Sequence, residues 1–338
     1  MIDITKIKLL GEERDESITK LALVSSMAIS ANAMAMQAMD DASLSAATGQ
    51  DGINIGIGIS KIEIGKVFVH DNDGLAVANG GTATAGAIVI QGNGKDNADG
   101  TAHVNKVNGI VIGANYDNAG AYLLPSRNLA DLQIDTDANG GNAFINIAAQ
   151  VSGLDIKIGQ IGVVASGDLP AAGATSIRRG GSSTSTVNPI LSGLSLKTGP
   201  MSANIQLGAA PQGAMIQLNA TMVGGLEIKN LGILDNSTKT ATRAAGEIFV
   251  ESIKVADANS LDLTLNQKIS VIGEEGANKG YIRMISTSGA HDTYVKGVHL
   301  GSRNAASIGD VEVQGMQTYF SPAAGVYMPG AVITISGH

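Results

Sequence analysis

A chain of 338 residues with 44% apolar content has room for one large core or two ordinary ones. Aromatics at 3%, no Trp, 44 Gly and only 15% charged residues exclude a charged helical bundle and point to an interior of small aliphatic side chains. A net charge of -8 argues against a nucleic-acid partner, and the absence of Cys excludes disulfides, thiolate zinc sites and thiol chemistry.

Residues 1–35 read as a leader. The run Leu21–Ser30 is too short to span a bilayer and fits the core of a signal peptide, with a short buried helix as the alternative. Ala31-Asn32-Ala33 and Ala33-Met34-Ala35 are small-x-small cleavage patterns, and cleavage is expected after Ala35. The mixed charges ahead of the run fit no leader, which puts the expected start near Ile18-Thr19-Lys20. No later segment has the length and apolarity of a membrane helix, so the mature chain is expected to have no transmembrane segment and to be exported.

The folded body begins within Met36–Ile57. Thr48-Gly49-Gln50-Asp51-Gly52 is a turn, after which Ile53, Ile55, Ile57 and Ile59 alternate with small or polar residues. Such alternation marks a half-buried strand. From there a unit of Gly or a small polar residue followed by apolar-polar-apolar recurs. It stands at Gly52–Ile55, Gly74–Val77, Gly109–Ile112, Gly153–Ile156, Gly193–Leu196, Gly225–Ile228, Ser260–Leu263 and Gly297–Leu300. Two longer segments also match: Phe144–Ile147 followed by Gly153–Lys157, and Met215–Leu218 followed by Gly225–Lys229. One such unit cannot cover its own apolar face, whereas stacked neighbours can. The expected architecture is therefore all-β: an elongated β-solenoid-like stack of short strands, or alternatively two β-sandwich-like halves. The polar stretch 166–192 reads as an exposed loop or hinge between an N-terminal β region, 36–165, and a C-terminal β region, 193–338. Gly330–Ile335 is a candidate closing strand.

Candidate chemistry is sparse. Asp135-Thr136-Asp137-Ala138-Asn139-Gly140 matches the first half of a calcium loop, with Asp135, Asp137 and Asn139 as candidate ligands. The twelfth position, normally a bidentate Glu, is Asn146, and Asx residues before Gly also form plain turns. Similar acidic turns stand at Asp71–Gly74 and Asp96–Gly100. The pair Arg178-Arg179 is a candidate protease or anion site, with a solvated loop as the plainer reading. None of His70, His103, His291, His299 and His338 lies in a ligand-spaced pair, and His299 is expected to face solvent from an alternating strand. No nucleophile elbow or phosphate loop is present, and no catalytic residue or cofactor other than calcium is assigned.

The segment Met36–Asp41, then Leu44-Ser45 and Thr48-Gly49-Gln50-Asp51-Gly52, resembles the mature N-terminus of FilA-like pilus-assembly proteins, secreted surface proteins of gammaproteobacteria. There a D-x-x-L-S-x-x-T-G-Q-x-G motif follows the signal peptide. The motif covers under a tenth of the chain. The resemblance implies a pilus-associated role at the cell surface and no catalytic residues. The expected function is a non-enzymatic structural, adhesive or assembly component of a bacterial surface filament, partnered by other filament proteins or by itself. The alternative is an extracellular polysaccharide-binding or polysaccharide-degrading β-helix protein.

Overall fold

The computed structural model describes residues 52–94, 106–181, 186–273 and 280–337. The leader, most of the Met36–Gly52 motif, the Asp96–Gly100 turn, His103 and His338 lie outside the described residues. The chain divides at Gly52/Ile53 into two units, and every described strand belongs to the second, Ile53–His338.

The fold is nearly all β, in antiparallel sheets that do not close on themselves. The first sheet has eight strands: β1 (Ile53–Ile57), β6 (Ala130–Asp137), β7 (Phe144–Val151), β12 (Met201–Gly208), β13 (Ile216–Met222), β16 (Leu263–Ile272), β17 (Tyr281–Thr287) and β22 (Ala331–Ile335). Their order in the sheet is their order in the chain. The second sheet has twelve strands. One wing holds β2 (Lys61–Ile64), β5 (Ile110–Ala114), β8 (Leu154–Ile158) and β11 (Leu194–Lys197). The other holds β3 (Lys66–His70), β4 (Gly86–Gln91), β9 (Gln160–Ala165) and β10 (Asn188–Leu191). Both wings join the long strand β14 (Leu226–Asp235), which is followed by β15 (Gly246–Asp257), β18 (His291–Gly301) and β19 (Ser307–Met316). A separate hairpin pairs β20 (Tyr319–Ala323) with β21 (Val326–Pro329).

Alternation explains the first sheet. Its apolar positions fall opposite one another strand after strand, as Ile53, Ile134, Ile147, Ile205, Ile216, Ile269, Met284 and Ile333. A single-residue slip would turn this whole row to the polar side, so the row fixes the register. The second sheet has its own row: Ile62, Ile112, Ile156, Leu196, Ile228, Ile253, Val295 and Val311. Without rings, aliphatic side chains of similar length can line up this evenly. On the opposite face the partners run Lys61, Gly113, Asp155, Lys197, Glu227, Lys254, Tyr294 and Glu312. From Asp155 to Lys254 the sign alternates at every strand. Opposite charges facing each other contribute about 0.2–1 kcal/mol per pair, and a register slip would break these pairings.

The recurring Gly-apolar-polar-apolar unit has a structural counterpart. Four of its occurrences, at Gly109, Gly153, Gly193 and Gly225, lead into β5, β8, β11 and β14, which are consecutive neighbours in the second sheet. The two longer matching segments are also equivalent: β7 to β8 and β13 to β14 both cross from the first sheet to the second.

The two wings meet along a crease. Gly65 separates β2 from β3, Gly159 separates β8 from β9, and Ser192-Gly193 separates β10 from β11. Within β14 and β18 the same role falls to Asn230 and Gly297, both with positive φ. Gly159 shows why a side chain is excluded. Its N–H donates to the Gly109 carbonyl at 2.7 Å, and a Cβ there would fall 2.2 Å from the Gln91 carbonyl oxygen.

Two large open sheets are consistent with the sandwich reading. Neither sheet is interrupted at 166–192. β9 pairs with β10 and β8 with β11; between β9 and β10, residues 168–178 are exposed, and residues 188–191 form β10 itself. The Gly330–Ile335 segment is an edge strand, β22, and closes nothing. Among the described residues no helix is long and apolar enough to cross a membrane.

Replacing Gly159 with Ala should cost about 1–3 kcal/mol through backbone overlap at the crease. Gly113→Ala serves as control, because its methyl would meet nothing closer than 3.6 Å. Thermal melts followed by circular dichroism separate the two.

Candidate functional site

The polar face of the first sheet is the most extended candidate surface. One row across it reads Asp131, Gln150, Ser202, Asn219, Asn266 and Thr287, each opposite the next. Amides and hydroxyls thus repeat at the strand spacing of about 4.8 Å. Part of the face is self-satisfied. Asn204 Nδ2 donates to Asn146 Oδ1 at 2.8 Å and to Gln212 Oε1 at 2.9 Å, and Gln206 Nε2 donates to Asn146 Oδ1 at 3.0 Å. Gln212 also donates to the Ala214 carbonyl at 2.9 Å, which folds the loop between β12 and β13 onto the strands. The remainder is open. A depression of about 440 Å³ is lined by Gln150, Ser202, Asn219, Thr221, Thr264 and Asn266, with Leu124 at its wall. A second of similar volume is lined by Asn54, Asn128, Asp131, Gln133 and Gln150. Gln150 borders both. Hydrogen bonds from Ser126 and Asn128 hold the Asp131 carboxyl below its ordinary value.

A second candidate, an ion pair with a buried carboxylate, lies on the second sheet. Glu247 of β15 and Ser192 are each 8% exposed. Arg303, in the turn between β18 and β19, donates from Nη2 to Glu247 Oε1 at 2.6 Å and from Nε to Oε2 at 3.1 Å. Its Nη2 also lies 2.7 Å from Ser192 Oγ, which in turn donates to Glu247 Oε1 at 2.9 Å. The guanidinium sits 4.8 Å from the centre of the Phe249 ring. Gly232 makes room for this arrangement, since a Cβ there would fall 2.1 Å from Ser192 Oγ. Burial opposes ionisation of Glu247. The hydrogen bonds from Arg303 and Ser192 and the guanidinium charge outweigh it, and the carboxyl is held below its ordinary value of 4.5. The cluster fastens the 302–305 turn and the crease at Ser192 to β15. Nothing in the sequence spacing joins positions 192, 247 and 303; only the sheet order brings them together.

His299 departs from expectation. It alternates as a strand residue, but it lies on the covered face at 9% exposure. Its Nδ1 donates to the Ala305 carbonyl at 2.6 Å, its Nε2 lies 3.3 Å from Glu251 Oε1, and its ring packs on Phe249. His70 stacks on Phe68 and hydrogen-bonds Ser166 Oγ at 2.6 Å through Nδ1, a contact across 96 positions that no local pattern signals. Of the arginine pair, Arg179 is spent on the Gly167 carbonyl and on Asn72 Oδ1, the latter at 2.7 Å.

Asp135, Asp137 and Asn139 lie along the β6–β7 hairpin. Asp135 faces Asn146 across the ladder, and Asp137 Oδ1 accepts the Asn139 N–H at 2.6 Å. Asn139 and Gly140 both have positive φ, so the reversal follows from backbone geometry alone. Among the described residues no group of three or more His, Asp or Glu side chains converges. The three residues make the contacts of a hairpin turn.

Glu247→Gln should cost about 1–3 kcal/mol, because half-buried Arg303 loses its charge partner but keeps part of its solvation. Because the folded-state value of Glu247 lies below its unfolded one, its contribution is complete above pH 4.5 and is lost as pH falls through the folded value. Acid unfolding curves should therefore converge for wild type and Glu247→Gln at low pH. The hairpin geometry also predicts a melting temperature that millimolar calcium leaves unmoved; a calcium-dependent rise abolished by Asp137→Asn would assign an ion instead.

No curated protein and no solved structure matches the chain. Residues 16–157, from the segment ahead of β1 into β8, match the model of a family of unknown function (DUF6160).

Proposed function

We propose that the chain is an exported, non-enzymatic structural or assembly component of a bacterial surface filament, built as a solenoid-like stack. One observation carries this reading: from β6 to β19 the chain switches between two open sheets, laying two or four strands in each at a time, and the first sheet and both wings of the second grow in chain order. Such construction supplies long, repetitive, aliphatic-cored layers. The signal-peptide pattern at Leu21–Ala35 and the resemblance of Met36–Gly52 to the FilA-like motif support the surface role. Its partners are other filament proteins or further copies of itself.

A second reading, an extracellular polysaccharide binder, draws on the amide face. Rows of Gln, Asn and Ser at strand spacing suit a ligand rich in hydroxyls, although the face offers no aromatic platform. Retention on immobilised polysaccharide that is lost in Gln150→Ala and Asn219→Ala would favour it.

Cell fractionation tests the first reading. The full chain, carrying a C-terminal tag, should appear processed near Ala35 and outside the cytoplasm. Unprocessed protein confined to the cytoplasm contradicts it.

A further inference from the structure

Among the described residues the two edge strands of the first sheet carry none of the usual protection within their own sequences, although the β20–β21 hairpin lies beside β22. Exposed edges normally carry charge, proline or a bulge that discourages pairing with another chain. The edge strand β1 reads Ile-Asn-Ile-Gly-Ile and the edge strand β22 reads Ala-Val-Ile-Thr-Ile, with no charge, proline or register break in either. Among the described residues nothing pairs with the outer side of either strand. Among the described residues the aliphatic row therefore ends exposed at both edges. Ile53 and Ile55 are 61% and 41% exposed, and Ile333 and Ile335 are 48% and 55% exposed.

Strand direction adds a second constraint. Eight strands, each antiparallel to the next, give the two edges of the first sheet opposite directions. The path β2-β5-β8-β11-β14-β15-β18-β19 in the second sheet is also eight strands long and ends the same way. A second copy displaced along the sheets would thus meet β22 with β1, and β19 with β2, as ordinary antiparallel neighbours. Odd counts would have forbidden this. The side chains agree. In the continued register Ile333 faces Ile53 and Ala331 faces Ile55, while Val311 faces Ile62 and Glu312 faces Lys61. Glu63, which would face Asp310, is already paired with Lys61 at 2.6 Å, and Asp310 is committed to Tyr294 and the Gly297 N–H.

We infer that copies of this chain join end to end, β22 of one copy hydrogen-bonding to β1 of the next, so that both sheets continue across the junction. The contact uses two different surfaces, so each joined copy still offers a free edge at either end and the contact propagates as a filament wherever the rotation between copies does not close it into a ring. The inference deepens the filament reading by naming the subunit contact, and it rests on that reading for its biological setting.

The test blocks one edge at a time in the full chain. Ile53→Lys with Ile55→Lys closes the β1 edge, and Ile333→Lys with Ile335→Lys closes the β22 edge. Ile335→Glu, at the end of β22 and opposite Ile282, is the milder second variant. Far-ultraviolet circular dichroism and a cooperative melt establish that each folds. Light scattering after size exclusion should show concentration-dependent oligomers for wild type, monomers for each blocked chain alone, and dimers that grow no further in an equimolar mixture of the two. Wild type that stays monomeric overturns the inference. So does a β1-blocked chain that dimerises alone, which would signal two-fold pairing of β22 with itself. So does assembly undiminished by either block. A chain that is exported yet monomeric overturns the contact and spares the surface role; one that polymerises but stays in the cytoplasm does the reverse.

Discussion

The aliphatic row across the first sheet is the constraint on which the rest depends. Eight strands place an Ile or Met opposite an Ile or Met at each step, from Ile53 to Ile333. The period of two along each strand then assigns every remaining position to a face. Most of the Asn, Gln, Ser and Thr of these strands go to the other side, where they form the amide surface around Gln150. Because the chain has almost no rings, the row is even in height, and no bulky side chain forces a neighbour aside. The cost is limited burial. Few apolar positions are fully covered, and the rest stay half-buried or open.

The second sheet solves a different problem. Its strands pass from one wing to the other, and the change of direction falls at Gly159, Gly193, Asn230 and Gly297. At Gly159 backbone approaches backbone too closely for a Cβ, and at the other three the backbone is left-handed. The alternating charges from Asp155 to Lys254 specify the register of one wing. On the other wing the buried Glu247 and Ser192, with half-buried Arg303, tie three separate segments together. Lys197 illustrates the balance: desolvation lowers its affinity for a proton, but Asp117, Asp155 and Glu227 around it prevail, and its value is raised.

Much of this fold is legible in the sequence. The Ile alternation after Gly52 forms β1, and the Gly-apolar-polar-apolar units at Gly109, Gly153, Gly193 and Gly225 form adjacent strands. Local pattern reports local structure, and here the repeat also reports neighbourhood. The remainder requires long-range pairing. Positions 192, 247 and 303 show no common spacing, so their cluster is invisible in the sequence. Alternation places His299 in solvent because it gives two faces but not which of them is covered. The 166–192 stretch looks like a boundary because it is polar and small, yet sheet pairing spans it from both sides. The calcium-like hexapeptide matches because turns and calcium loops both favour Asx before Gly, and the sequence alone does not separate the two.

A sheet that grows strand by strand in chain order, with aliphatic rows running to both edges, is a scaffold suited to extension. The proposed end-to-end contact is drawn from that property, whereas the proposed surface role draws on the leader pattern and the Met36–Gly52 motif. The most direct check is a methyl nuclear Overhauser spectrum of the full chain labelled at isoleucine. The account predicts cross-peaks linking Ile134 to Ile147, Ile147 to Ile205, Ile205 to Ile216 and Ile216 to Ile269. Their absence, or contacts displaced by one residue on any strand, would contradict it.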